Sequence, residues 1–344
     1  MIAPIAWRCP PAAYGPWEAA TSTLTEALVA RGHDVTLFAA GGSRTAGRLH
    51  VTAPHPYEEA PLDVKVWEAM HLGAAARLAA DGAFDVLHAQ CDFPALPFAP
   101  ALPVPMVVTL HGLGPPEARE AVLPIWRAFQ DAAHYVAISD ADRHPELRYA
   151  ATIHHGLDPS AWPVSDPGPG APLAFFARSH PDKGPAAAIA AARAAGRPLL
   201  MAGIVADAAH HRAEVEPWID GERVRWLGAL GGAERGRFLA GAGALLHLIA
   251  FDEPFGLSVV EAMMCGTPVV ATRRGSMPEI VEDGVTGVLV DRPDDAPAAI
   301  ARALRIDRRR CAMRARERFS ADAMAARYEA LYESVLAGSQ IRPD

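Results

Sequence analysis

The sequence predicts an α/β protein of two units, each an open parallel sheet covered by helices on both faces. Three observations predict it. Short apolar runs alternate with helix-length stretches along most of the chain, the pattern of strands joined by crossover helices. A Pro- and Gly-dense stretch at residues 162–172, WPVSDPGPGAP, interrupts the alternation, which then restarts. The length of 344 residues exceeds what one core ordinarily holds, so two units of roughly 150 residues are expected.

The elements follow in order. Residues 2–7 read as a strand, 17–31 as a helix and 34–39 as a second strand after the Gly32 stop. Apolar runs at 84–89, 106–110 and 135–138 continue the first sheet, with Ala-rich helical stretches between several of them. Beyond the Pro/Gly stretch, strands are expected at 173–177, 199–202, 224–227, 244–248, 268–271 and 287–290. Right-handed crossovers would make each half a Rossmann-like layer structure. The helical pattern at 321–336 is set apart from the second sheet by an Arg-rich stretch, residues 302–318. The expected domains are therefore 1–163, completed by the C-terminal helix 321–344, and 172–318.

Composition narrows the function classes. A formal net charge of -8 argues against nonspecific nucleic-acid binding, which needs clustered Lys and Arg. No apolar run reaches about 18 residues, so no membrane span is expected. The opening MIAPIAWRCPP lacks the basic and long apolar regions of a secretory signal. Cys9, Cys91, Cys265 and Cys311 show no CxxC spacing and read as reduced thiols. Together these features predict a cytoplasmic protein.

Four constellations carry chemistry. In FDEPFGLSVVEAMMCGTP, Glu253 and Glu261 flank a Pro-Phe-Gly turn and the start of an apolar helix. Backbone N–H groups at Gly256, Leu257 and Ser258 would be free there, and a helix start favours anions. The carboxylates on either side can accept hydrogen bonds from sugar hydroxyls, an arrangement suited to a nucleotide sugar. The alternative is a helix with one acidic residue near its start, favoured by the dipole, and another on a solvated face.

Second, Arg178-Ser-His-Pro-Asp-Lys183-Gly184 follows the first strand of the second half, the end at which open sheets bind ligands. Lys65 and Lys183 are the only lysines among 32 basic residues. A bidentate Arg and a mobile Lys could neutralise a departing diphosphate; a solvated loop is the bland reading. Third, Ala13-Tyr14-Gly15-Pro16-Trp17-Glu18 joins a strand to a helix, with Gly15 allowing close backbone approach and Pro16 suited to the first helical position. Fourth, His111 ends the VVTLHG strand, either as a structural histidine or as a donor to a sugar hydroxyl or phosphate oxygen.

Other signals are discounted. Asp140-Ala141-Asp142 follows Ser139 and reads as a helix cap rather than a metal site. Gly241-Ala-Gly243 lacks a third glycine and precedes a strand, so it is no dinucleotide fingerprint. His154-His155 and His210-His211 lack companion ligands. Residues 302–318 read as a solvated helix, with peripheral membrane contact the weaker alternative.

On these motifs the chain resembles glycosyltransferase family 4, retaining enzymes of the GT-B fold, in which two Rossmann-like domains face each other across a cleft. EPFGLSVVE is the most specific element. CGTPVVATRRGSMPEIVEDGVTGVLV, LVARGHDVTLFAAGGS, FDVLHAQ, YVAISDADR and IHHGLDPSAW are similar to the family as well.

The resemblance implies that Glu253 holds the donor hexose and Glu261 the nucleotide ribose, with Phe255, Gly256, Leu257 and Ser258 along the sugar and diphosphate. It implies that Arg178 and Lys183 bind the diphosphate, that His111 reaches the donor sugar, and that Gly15 lies near the phosphates. No metal and no cofactor is expected beyond the nucleotide-sugar donor, and the partner is a small-molecule or glycan acceptor. Two departures stand out: Gly15-Pro16-Trp17-Glu18 replaces the usual Gly-Gly-x-Glu, and Ala177 stands where a Gly usually precedes the Arg. A GT-B glycoside phosphorylase, a nucleotide-sugar epimerase and a non-catalytic nucleotide-sugar-binding protein remain alternatives.

Overall fold

The computed structural model describes residues 1–12, 15–112, 114 and 116–339. The chain divides into two compact units, Met1–Leu157 together with the segment from Ala321 on, and Asp158–Ser320.

The first unit runs α1 (Pro16–Ala30), β1 (Thr36–Ala40), β2 (Arg48–Ala53), α2 (Val64–Ala80), β3 (Leu87–Ala89), β4 (Met106–Leu110), α3 (Pro116–Phe129), β5 (Ala133–Ala137) and β6 (Ala151–Thr152). All its strand pairs are parallel. Ile2 joins β1 to β3, bridging Phe38 on one side and Ala89 on the other. The strand expected over 2–7 is thus cut to its first residues, because Pro4 has no N–H with which to extend the ladder. With Ile2 counted as the first strand, the sheet order is third, second, first, fourth and onward, and it reverses between Ile2 and β3. Strands β2 and β6 escape sequence reading. Both are edge strands; β2 is largely exposed and β6 has only two residues, so neither shows a buried apolar run.

The second unit runs β7 (Leu173–Phe176), α4 (Pro185–Ala194), β8 (Leu199–Ala202), β9 (Val224–Trp226), α5 (Gly232–Ala240), β10 (Leu245–His247), α6 (Leu257–Met264), β11 (Val269–Thr272), β12 (Gly287–Val290), α7 (Ala296–Ala303) and α8 (Arg308–Phe319). Its six strands lie in the order β12-β11-β10-β7-β8-β9, every pair parallel. This is the doubly wound order, reversing between β7 and β10. Each unit has its own core. Leu173, Phe175, Met201, Leu246, Val270 and Ile300 belong to that of the second; Phe38, Leu87, Met106, Val108, Trp126 and Tyr135 to that of the first. The last helix, α9 (Ala321–Ser339), buries Met324, Ala325, Tyr328 and Leu331 with Leu24, Leu28, Val107 and Val136 of the first unit.

The Pro- and Gly-dense stretch 162–172 is bound to the second unit. Ser165 Oγ donates to Ala240 O (2.6 Å), and Arg308 Nε donates to Ser165 O (2.7 Å). The division between units accordingly falls earlier, between Leu157 and Asp158, rather than at residue 163. The Arg-rich stretch also differs from a wholly solvated helix. Arg308 donates to Ala240 O and Ala242 O (2.9 Å each) and to Thr267 Oγ1 (2.7 Å), while Arg316 donates to Trp162 O (2.8 Å). Long Arg stems can bury while their forked heads satisfy carbonyls. Among the described residues, no helix is long and apolar enough to cross a membrane.

Candidate functional site

Open parallel sheets bind ligands outside the carboxyl ends of their strands, where the strand order reverses. In the second unit those ends belong to β7, which leads into Arg178 and Lys183, and to β10, which leads into Glu253. Two close approaches fix the loops there. Gly184 has a φ of 68°, and a Cβ on it would lie 2.0 Å from Leu248 O, so only glycine admits this contact. The Ala250 N–H donates to Asp182 O at 2.8 Å, joining the two loops.

The result is a partly buried ion pair. Lys183 Nζ stands 2.6 Å from Glu253 Oε2, each side chain 13% exposed, and Lys183 also lies over the Phe251 ring at 4.3 Å. Burial works to raise the Glu253 carboxyl, but His247 and the Lys183 ammonium outweigh it and hold the group at about 2. His247 Nε2 is 3.6 Å from Glu253 Oε2, longer than a full hydrogen bond. The turn itself is buttressed by the next loop: Ser276 N–H donates to Glu253 O and Ser276 Oγ to Phe255 O, 2.9 Å each.

Helix α6 starts from Gly256, whose φ is 87°. The Val259 and Val260 N–H groups both turn to Gly256 O, leaving the Leu257 and Ser258 amides ahead of the helix's own ladder. Phe255 is buried edge-on against Phe319 at 6.2 Å. Glu261 is only 4% exposed and meets Arg235 Nη2 at 3.3 Å. Burial pushes its carboxyl up to about 7 although Arg235 works the other way. Among the described residues, neither Glu253 nor Glu261 forms an ion pair with Arg178, which leaves β7 half-buried.

Three residues here escaped sequence reading. His247 lay hidden inside an apolar strand run. Arg235 belongs to a helix with no motif of its own, its guanidinium over Trp162 at 5.2 Å and Phe176 at 6.0 Å. His211 bonds Ser179 Oγ through Nδ1 at 2.8 Å, fixing the residue after Arg178; it had been visible only as half of a His pair.

The remaining sites lie in the first unit. His111 is 7% exposed, with Nε2 at 2.6 Å from Gln90 Oε1 and Nδ1 at 3.4 Å from His155 Nε2. Burial, with His155 and His88 nearby, pushes its pKa well down, and the ring stacks on Trp17 at 5.3 Å. Gly15 caps α1 at a φ of 142°, where a Cβ would meet Pro11 at 2.8 Å. Ala13 and Tyr14 of that motif fall outside the described residues. Asp142 is held by the Ser139 hydroxyl through its N–H (3.1 Å) and pairs with Arg119 at 3.5 Å. Among the described residues, no group of three or more His, Cys, Asp or Glu side chains is placed to hold a metal ion.

Comparison with known proteins adds to this geometry. Residues 18–161 match the family model described as Glycosyltransferase Family 4, and residues 169–319 the one described as Glycosyl transferases group 1. D-inositol 3-phosphate glycosyltransferase of Mycobacterium sp. (strain KMS) is 53% identical over 53 residues, 15% of this chain and 12% of that protein. The match thus spans about an eighth of the relative's length. AviGT4, a glycosyltransferase involved in avilamycin A biosynthesis, has a TM-score of 0.74 at 24% identity, covering 98% of this chain and 97% of its own. Anabaena HepE in complex with UDP-glucose has a TM-score of 0.69 at 21% identity, covering 97% and 99%. At these identities the likeness is one of fold.

Proposed function

The chain belongs to the glycosyltransferases of GT-B fold, a family 4 unit followed by a group 1 unit, and on that premise we propose that it moves a hexose-type sugar from a nucleotide-diphosphate sugar to an acceptor hydroxyl, with retention and without a metal ion. The observation that carries this reading is the Lys183–Glu253 pair at the order reversal of the second sheet. A diphosphate drawn to Lys183, Arg178 and the Leu257 and Ser258 amides would release Glu253 to accept hydrogen bonds from the sugar. Glu261, ionised, would accept from the ribose in place of Arg235. A fold neighbour that holds UDP-glucose supports a donor of this kind.

The chemistry asks little covalent work of the protein. The bond from the sugar C1 to the diphosphate oxygen breaks, the acceptor oxygen bonds C1 on the same face, and its proton passes to a diphosphate oxygen. Lys183 and Arg178 meet the charge that grows on the leaving group, the term that preorganised donors supply most effectively. For His111 to donate to a sugar, its Nε2 would exchange Gln90 for a hydroxyl.

The test is acceptor-dependent release of nucleoside diphosphate across a panel of nucleotide sugars. Lys183→Ala is expected to lower turnover at saturating donor by about 100- to 1000-fold, with its fold checked by circular dichroism. Near-wild-type turnover in that variant would remove the leaving-group role. Turnover that needs inorganic phosphate in place of an organic acceptor would transfer the reading to a glycoside phosphorylase.

A further inference from the structure

The first unit has an order reversal of its own, between Ile2 and β3, and a cavity of about 340 Å³ opens at the carboxyl ends of those two strands. Such a reversal is where an open α/β sheet binds a ligand, and the volume suits a single sugar-sized ring. Trp7, Trp17 and Tyr57 supply aromatic walls, and Glu18 and Glu68 supply carboxyls. Neither of those polar groups is consumed by an ion pair among the described residues. Glu18 is 2% exposed, and its Oε1 accepts the Trp7 N–H at 3.0 Å, its own backbone N–H also turning to the carboxylate.

Among the described residues, no Lys or Arg lines the cavity. Arg8, next to Trp7 in the chain, is paired with Glu59. His71, which also lines it, is kept neutral: burial lowers its pKa to about 4, and its two ring nitrogens meet Thr52 Oγ1 and Ala3 O. Burial raises both cavity carboxyls above the usual range, as a pocket poor in positive charge should.

We propose that this cavity takes the acceptor, and that the acceptor is a polyol carrying a basic nitrogen, an amino sugar or aminocyclitol, rather than a phosphorylated one. The inference rests on the sugar-transfer reading above. An ammonium group would supply the charge that Glu18 and Glu68 lack, and a hydroxylated ring would lay its apolar face on the tryptophans. A phosphate would meet two carboxyls and no cation. The chain then differs in acceptor chemistry from the relative named for D-inositol 3-phosphate.

Calorimetry of the full chain with glucosamine, glucose and glucose 6-phosphate, without donor, tests this. Glucosamine is expected to bind at least tenfold more tightly than glucose, and glucose 6-phosphate most weakly. Glu68→Gln, a half-buried and nearly isosteric change on α2, should cost glucosamine about tenfold and leave glucose within twofold; Glu18→Gln is the second variant. Glucose 6-phosphate binding as well as glucosamine, an amine preference surviving both substitutions, or no binding of any of the three overturns the proposal. Nucleoside diphosphate release is read separately, so loss of sugar transfer with the amine preference intact would count against the transfer reading and not against this cavity.

Discussion

Glu253 and Glu261 lie on one short motif, yet their surroundings drive their carboxyls in opposite directions. Glu253 is held at about 2 against an ordinary 4.5, so its stabilisation is present above pH 4.5 and is lost as pH falls toward 2. Glu261 is pushed up to about 7, so the fold favours its protonated form. That stabilisation is full below pH 4.5 and is lost as pH rises through 7. At pH 8 the ionised group therefore costs the fold up to about 3 kcal/mol. Glu261→Gln should raise the thermal midpoint at pH 8 by about 5 °C and leave it nearly unchanged at pH 5, while weakening nucleotide binding. Equal midpoints at both pH values would show that Arg235 already neutralises the site. A group that destabilises the empty protein is what a binding site can carry and a merely structural carboxylate would not.

At the scale of elements, strand ends aim these side chains, and glycines permit the aim. Gly184 and Gly196 have nearly the same φ, 68° and 67°, but only Gly184 has a carbonyl where a Cβ would go. Gly196→Ala should cost about 1 kcal/mol, the ordinary left-handed penalty. Gly184→Ala should cost about 3 kcal/mol or more and disturb Lys183 beside it; urea unfolding of the two variants compares them directly. Similar losses in both would mean that the loop yields easily.

Much of this was legible in sequence. The strands at 106–110, 199–202 and 287–290 are found at those limits, because buried parallel strands are apolar throughout and bounded by breakers. The strand expected over 2–7 is short because Pro4 fits the apolar pattern but has no N–H for the ladder. The turn EPFG and the loop ending in Lys183-Gly184 can be read singly from their residues, and only the family resemblance brings them to one donor. Lys183 and Glu253 are 70 positions apart, and Arg235 reaches Glu261 only through tertiary packing.

For the whole molecule, the same winding occurs twice, and each unit carries polar chemistry at its own order reversal. The second gathers cations and carboxylates around an anion-favouring helix start; the first gathers tryptophans and carboxyls with no Lys or Arg among the described residues. The chain returns to the first unit through α9, where Tyr328 Oη lies 2.8 Å from Thr109 Oγ1 and Tyr332 Oη lies 2.6 Å from His88 Nδ1. The arginines before it bind carbonyls of the second unit. A stretch that composition marks as basic surface thus serves partly as internal support.

Under the proposed transfer reaction, the second unit holds the nucleotide diphosphate of a sugar donor between the loop from Arg178 to Lys183 and the segment from Glu253 to Glu261. Hydrogen exchange with UDP, ADP, GDP and dTDP added in turn tests it most directly. At least one of these should slow exchange at amides 178–184 and 253–261, with Leu257 and Ser258 among the protected. Protection confined to the first unit, or none with any of the four, would contradict it.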